Sequence, residues 1–370
     1  MKMKHSLIAM AVAGLAGTVA VAPAMAETTA YGLAQVELTS YSNQTEDGPC
    51  DVDGTPASGS DGSADVGKAC DGLLVQDKAN GRAGIKASED LGNGWTGLAK
   101  IEWQVNYAKG TVNANQDAFH TREAMVGLKG AGVTIEAGML KSAYKYTGGV
   151  KYDPFVATAL EARRDNGGMS HTAYGQGGFL PETIAVKGKA GPVKYWLTYG
   201  PGEGDGDLTA SVMFEHEAFE VFVAMADKGE RADAPLGANG QPLPPVGGGI
   251  KDAEDDYSAT KVGGAYKAGP LKVKLQYEMI EIKNNTPPAT PSVEPTYTFV
   301  GAEYKMGKNI FVLQLGQYDS DNGGKDTDYL ALGVIHKFTK DTRLFAGYRT
   351  SDAENDSEED AITVGLRKDF

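Results

Sequence analysis

Two cysteines, five histidines and a surplus of carboxylates are the residues from which chemistry would have to be built. The histidines, His5, His120, His171, His216 and His336, are scattered along the chain. None has the company that a Ser–His or Cys–His pair, or a Ser or Asp hydrolase site, would require. No G-x-S-x-G, H-E-x-x-H or phosphate-binding glycine loop occurs. Cys50 and Cys70 share a polar stretch rich in Gly, Asp and Ser. A metal site there would need further His or Cys close by, and a catalytic thiol would need a His partner. In an exported chain the pair is expected to close a loop as a disulfide. No catalytic group, metal or cofactor is expected, so function has to come from architecture.

The first segment indicates export. Lys2 and Lys4 precede an apolar run over residues 7–22, and Ala24-Met25-Ala26 supplies a small-x-small pattern. This is the layout of a cleaved signal covering residues 1–26, leaving 27–370 as one domain. The rival reading is a membrane anchor. The run is short for a span, is weakened by Gly14 and Gly17, and lacks a stop-transfer flank. No later stretch is apolar enough for a membrane helix, so any crossing must use strands.

The formal charge is −14, and losing the two leader lysines makes the remainder more negative still. Nucleic-acid binding, which wants basic patches, is disfavoured. Attraction of cations is left open.

Period-two alternation recurs along the chain. Leu271, Val273, Leu275, Tyr277 and Met279 alternate with Lys272, Lys274, Gln276 and Glu278. Ile101, Trp103, Val105 and Tyr107 alternate with Lys100, Glu102, Gln104 and Asn106. Residues 193–199, 219–225, 343–349 and 361–370 repeat the pattern, whereas 119–128 alternates poorly. Short polar turns fall at 90–94, 130–132, 189–192, 268–270, 306–309 and 340–342. Long polar connections fall at 43–78, 143–178, 200–206, 229–256, 283–295, 319–326 and 351–360.

One rim of short turns and another of long loops is the pattern of a transmembrane antiparallel β-barrel, here with about 16 strands. Closure removes sheet edges, and a cylinder that wide keeps an aqueous lumen.

Arg82-Ala83-Gly84-Ile85-Lys86 with Ser88-Glu89-Asp90-Leu91-Gly92 resembles the second-strand motif of general Gram-negative outer-membrane porins. Residues 121–129, Thr-Arg-Glu-Ala-Met-Val-Gly-Leu-Lys, are similar to their fourth strand. Tyr31-Gly32 and the terminal Phe370 also match.

The resemblance implies a sixteen-stranded barrel in the outer membrane, usually a homotrimer, in contact with lipid and lipopolysaccharide. It implies short periplasmic turns, long extracellular loops and a third loop folded into the lumen to form an eyelet. It places Arg82 and Arg122 on a basic wall, with Lys86 on the same side by parity. The third loop is expected at 143–178. Asp153 and Glu161 are its expected acidic side, and Arg163 and Arg164 either pair with them or line the eyelet. Phe370 is expected to be the signal read by the barrel-assembly machinery. The runs 252–256 and 351–360 read as solvated loop tips, their other use being divalent bridging to lipopolysaccharide.

Two departures stand out. No arginine occurs around 179–184, where the family often carries one, and Leu33 stands where a basic residue is common. A thinner basic wall with an acidic chain leads to the expectation of weak cation preference in a passive pore for small hydrophilic solutes. Three rivals remain: a substrate-selective channel using dispersed bases such as Lys194, Lys272, Lys274, Arg343 and Arg349, an outer-membrane hydrolase, and a structural protein of the membrane.

Overall fold

The computed structural model describes residues 26–43, 72–78, 81–108, 119–163, 169, 179–201, 207–228, 256–283, 292–321, 326–353 and 359–370. Residues 1–25 of the leader, both cysteines and Arg164 lie outside the described residues.

The first strands are β1 (Glu27–Asn43), β2 (Gly72–Gln76), β3 (Arg82–Gly92), β4 (Trp95–Val105), β5 (Phe119–Gly130) and β6 (Val133–Lys141). Two single-turn helices follow, α1 (Ala143–Tyr146) and α2 (Gly149–Tyr152). Next come β7 (Phe179–Ala190), β8 (Val193–Gly200), β9 (Asp207–Glu215), β10 (Phe219–Lys228), β11 (Asp256–Ala268) and β12 (Leu271–Lys283). The last are β13 (Thr296–Met306), β14 (Asn309–Asp319), β15 (Thr327–Lys337), β16 (Thr342–Ala353) and β17 (Glu359–Asp369).

Every pairing is antiparallel, and β1 pairs with β17, so the sheet closes. Tyr41↔Gly72 belongs to the β1–β2 pairing and Leu33↔Arg82 to the β1–β3 pairing. β2 and β3 thus share one place beside β1, and the seventeen strands fill sixteen positions around a barrel. The segment Gly72–Gln76, expected within a long connection, is a strand. The closing seam is tied by Gly32 and Phe370, whose backbones exchange hydrogen bonds of 2.8 and 3.0 Å.

The alternation sorts side chains between two environments. Val36 and Leu38 on β1, Val126 on β5, Leu275 on β12 and Leu366 on β17 all point outward and stay exposed. Such an apolar belt would be costly in water, and it is the surface a lipid bilayer accepts. Among the described residues no helix is long and apolar enough to span a membrane. Tight turns hold the periplasmic rim: Asn93-Gly94 and Ala131-Gly132 each place two successive residues at positive φ, the requirement of a two-residue hairpin. One short turn, 216–218, carries neither Gly nor Pro and gave no signal.

The poor alternation of 119–128 has a structural cause. Glu102 pairs with Glu123 but Trp103 pairs with Thr121, so Arg122 is the extra residue of a β-bulge.

The lumen departs from a simple wet interior. Met213, Phe222, Ile280, Tyr297, Phe299, Tyr329 and Phe345 point inward, yet all are buried. They pack with Tyr144, Tyr152, Phe155, Leu160 and Met169 from the segment after β6. One side of the barrel therefore contains a dry core, formed between its wall and the third loop. This loop folds into the lumen because its apolar side chains have inward-facing partners there.

Candidate pore constriction

The loop leaves β6 at Ser142, whose hydroxyl caps α1 by accepting from Lys145 N at 3.3 Å. It then follows the wall from β9 towards β1. Thr209 Oγ1 accepts from Ala143 N at 3.0 Å, and Thr147 Oγ1 donates to Ser211 Oγ at 2.8 Å. Tyr144 donates to Glu278 at 2.9 Å, and Gln276 Oε1 accepts from Gly149 N at 2.8 Å. Lys274 Nζ donates to Tyr152 O at 3.0 Å. At the far end, Gln35 Nε2 donates to Ala157 O at 2.7 Å. Both Glu37 carboxylate oxygens accept from Ala159 N at 3.1 Å. The bonds from Thr209, Gln276, Lys274, Gln35 and Glu37 satisfy loop backbone groups that the apolar core would otherwise strand.

Two loop side chains find matching depressions. Gly333 on β15 and Gly347 on β16 are register partners, leaving the wall bare. Phe155 lies over the first and Leu160 over the second; a Cβ on either glycine would meet those side chains at 2.9 and 2.6 Å.

The structure brings Asp153, Glu161 and Arg163 together, but beneath the loop. All three are buried, at 2%, 1% and 4% exposure. Asp153 accepts from Phe155 N (2.9 Å), Ala162 N (3.0 Å) and Gln314 Nε2 (2.9 Å), and Arg163 Nε lies 3.9 Å away. Glu161 accepts from Ala157 N at 2.7 Å and Arg163 at 2.8 Å. Burial pushes the Asp153 carboxyl up to about 6, against the pull of Arg163. The geometry is that of a turn organised around two carboxylates.

Across the lumen stands a second charged group, on β3 to β6. Arg122 reaches Glu102 at 3.3 Å and Gln104 at 2.9 Å, and its guanidinium lies over the Phe179 ring at 4.8 Å. Arg82 is 4.0 Å from Glu102. Lys100 lies 2.7 Å from Glu123 and 3.6 Å from Glu102, and Lys141 lies 3.2 Å from Glu123. Tyr31 donates to Glu102 at 2.9 Å. Lys86 faces the same side nearer the periplasmic rim, 5.9 Å from the Tyr31 ring. Unlike the loop trio, Arg82 and Lys141 are about a quarter open to solvent. Burial raises the hydroxyl of the loop residue Tyr146 above its ordinary value, while Arg122 and Arg163 pull it down.

Glu102, Glu123, Lys100 and Lys141 were not singled out from sequence. The available signal was parity: Lys100 and Glu102 share the polar face of β4 and lie opposite Lys86 and Gly84.

A closed barrel with an apolar outer belt and a charged wall facing an inserted loop defines a transmembrane channel architecture. A family model described as Gram-negative porin matches residues 9–356, and the chain belongs to that family, whose place is the outer membrane. The chain is 34% identical over 146 residues to the major outer membrane protein P.IB of Neisseria gonorrhoeae; the match covers 40% of this chain and spans 34% of that relative's length. An anion-selective porin from Comamonas acidovorans superposes with a TM-score of 0.69 at 16% identity, covering 94% of this chain and 100% of that one. The trimer form of OmpT from Vibrio cholerae gives 0.62 at 15% identity, covering 93% and 99%. At such identities the structures support the fold alone.

Proposed function

We propose that the chain is a passive, water-filled channel of the outer membrane for small hydrophilic solutes and ions, and not an enzyme. The observation that carries this reading is the seated loop, which leaves the solvent-open part of the lumen beside the Arg82–Arg122 wall. Arg82 and Arg122 would line the narrow section. Lys86 would lie below it, and Asp153, Glu161 and Arg163 would fix the loop that forms its other side. A fixed charged wall orders water and dipolar solutes and penalises apolar ones.

A homotrimer fits this reading, since a trimer form is named for the Vibrio cholerae protein of the same fold. Phe370 as an assembly signal fits its place at the closing seam. Lipid and lipopolysaccharide as surroundings fit the apolar belt.

The preference for cations expected from total charge has a rival in the wall itself. Arg82, Lys100, Arg122 and Lys141 outnumber Glu102 and Glu123 there. Charge at a narrow, low-dielectric section is focused more strongly than charge elsewhere, which favours weak anion preference. Single-channel conductance in planar bilayers under a KCl gradient tests both points. Conductance steps in triplets are expected for a trimeric pore, and the sign of the reversal potential decides the ion. Absence of any conductance would refute the channel.

A further inference from the structure

A recess of about 500 Å³ opens between the underside of the loop and strands β6 to β9, towards the periplasmic rim. It shares Tyr146 with the constriction described above. Its lining combines ammonium groups with flat aromatic surface. Lys151, Lys187, Lys189 and Lys194 all border it, as do Tyr146 and Trp196.

The pairing of these lysines is uneven. Lys187 lies 2.5 Å from Glu136, and its Nζ sits 4.6 Å from the centre of the Trp196 ring. Lys151 lies 3.1 Å from Glu215 and 2.7 Å from Glu220, and Lys194 lies 2.5 Å from the same Glu215. Lys189 has no ion-pair partner among the described residues. It is also the register partner of Lys194 across the β7–β8 hairpin, on the inward face. Like charges directly opposite each other destabilise a strand pair, and of these two Glu215 offsets Lys194 alone. Tyr146 and Trp196, with ring centres 6.4 Å apart, form the apolar floor next to this pair.

We infer that this recess is a binding subsite for small aromatic carboxylates, held by the carboxylate between Lys189 and Lys194 and by the ring against Trp196 and Tyr146. The inference rests on the channel reading, because the ligand enters through the lumen. A bare inorganic anion would satisfy the lysines but leave the aromatic floor unmatched. A neutral aromatic would do the reverse. The volume lies within the range of small-molecule sites. In a passive pore such a subsite raises the local concentration of its ligand without closing the path.

Benzoate is the probe, with acetate and benzyl alcohol as the charged and aromatic controls. In a variant carrying Trp95→Phe and Trp103→Phe, Trp196 is the sole tryptophan, and its fluorescence reports the recess directly. Benzoate is expected to shift that signal at concentrations about tenfold below acetate, the difference expected for one added ring contact. Lys189→Gln is expected to weaken benzoate about tenfold or more, as loss of a charge-assisted hydrogen bond does. Equal effects of benzoate and acetate, or benzoate affinity unchanged by Lys189→Gln in protein that still migrates as a heat-modifiable barrel, would overturn the subsite. Absent KCl conductance would instead refute the channel, and the fluorescence titration would still judge the recess.

Discussion

Phe155→Ala removes the ring that lies over Gly333 and leaves the barrel wall untouched. Phe155 is 1% exposed, within the cluster that holds the loop to β10 and β13–β16. Truncating a buried Phe costs about 3–5 kcal/mol when the site cannot collapse, and a glycine-floored depression in a hydrogen-bonded sheet has little room to do so. A single loop hydrogen bond such as Gln35 to Ala157 is worth roughly 0.5–1.5 kcal/mol net, so the ring outweighs any one polar anchor. At about 1.4 kcal/mol per decade, the ratio of seated to unseated loop should fall by roughly two to three and a half decades. Because the energy is lost from the loop and not the wall, the barrel should still fold and resist detergent. Single-channel recordings of the variant are expected to show greater open-channel noise and excursions to larger conductance, and the loop should become more sensitive to protease. Parent-like noise and protease resistance in a folded variant would refute the idea that apolar seating holds the loop.

Three further outcomes follow from the same geometry. Arg122→Gln removes one cation from the narrow wall while keeping a hydrogen-bonding side chain; the reversal potential in a KCl gradient should move towards cation preference, and no movement would remove Arg122 from the constriction. At the seam, a Cβ on Gly32 would collide with the Phe370 ring and approach Arg82 O at 2.9 Å, so Gly32→Val should slow conversion to the heat-modifiable barrel; conversion at the parent rate counts against the seam's role in closure. Asp153 has its carboxyl raised from 3.8 to about 6 in the seated loop, so seating is favoured below pH 4 and loses that contribution as pH rises towards 6; open-channel noise should therefore fall between pH 7 and pH 4 in the parent, and Asp153→Asn should flatten that dependence.

How far the sequence could be read depended on whether a signal is local. The alternation of Leu271–Met279 maps directly onto β12, because a half-lipid, half-water strand has no other way to distribute its side chains. The turn at 216–218 was invisible because His216, Glu217 and Ala218 carry no turn residue. β2 was hidden because five residues inside a polar stretch are too few for a periodic pattern. At the site, Arg82 and Arg122 were reached through family resemblance, whereas Lys100 and Glu102 are marked only by the polar parity of β4, and their meeting with Glu123 is fixed by the β3–β5 registers. The burial of Asp153 and Glu161 had no sequence signal at all. A carboxylate beside Pro154 looks the same whether it faces the lumen or the wall, and only the packing of Phe155 and Leu160 decides which. Phe222, Phe299 and Phe345 stand on faces that parity assigns to water, and the loop that keeps them dry comes from elsewhere in the chain.

The bulge at Arg122 shows why a strand that breaks the pattern still belongs in the barrel. With strict alternation, Arg122 would face opposite to Glu123 and therefore lipid, where an Arg near the bilayer midplane costs about 2–4 kcal/mol. Inserting one residue opposite the Glu102–Trp103 step turns Arg122 inward beside Glu123, so a single strand delivers two adjacent charges to the lumen. Glu102 and Glu123 are then direct register partners, an arrangement that like charges alone would not tolerate. The surrounding Arg122, Lys100 and Lys141 reverse that sign, each lying within 3.3 Å of one of the two carboxylates. The acids fix the cations in place, and the cations allow the acids to approach. The ion pairs within β3 to β6 hold the wall together, which lets the two sides of the opening be perturbed separately: Phe155→Ala should loosen one side and Arg122→Gln should discharge the other. If the two substitutions, combined, gave changes in noise and reversal potential that were far from additive, wall and loop would have to be one coupled unit, and this division of labour would fail.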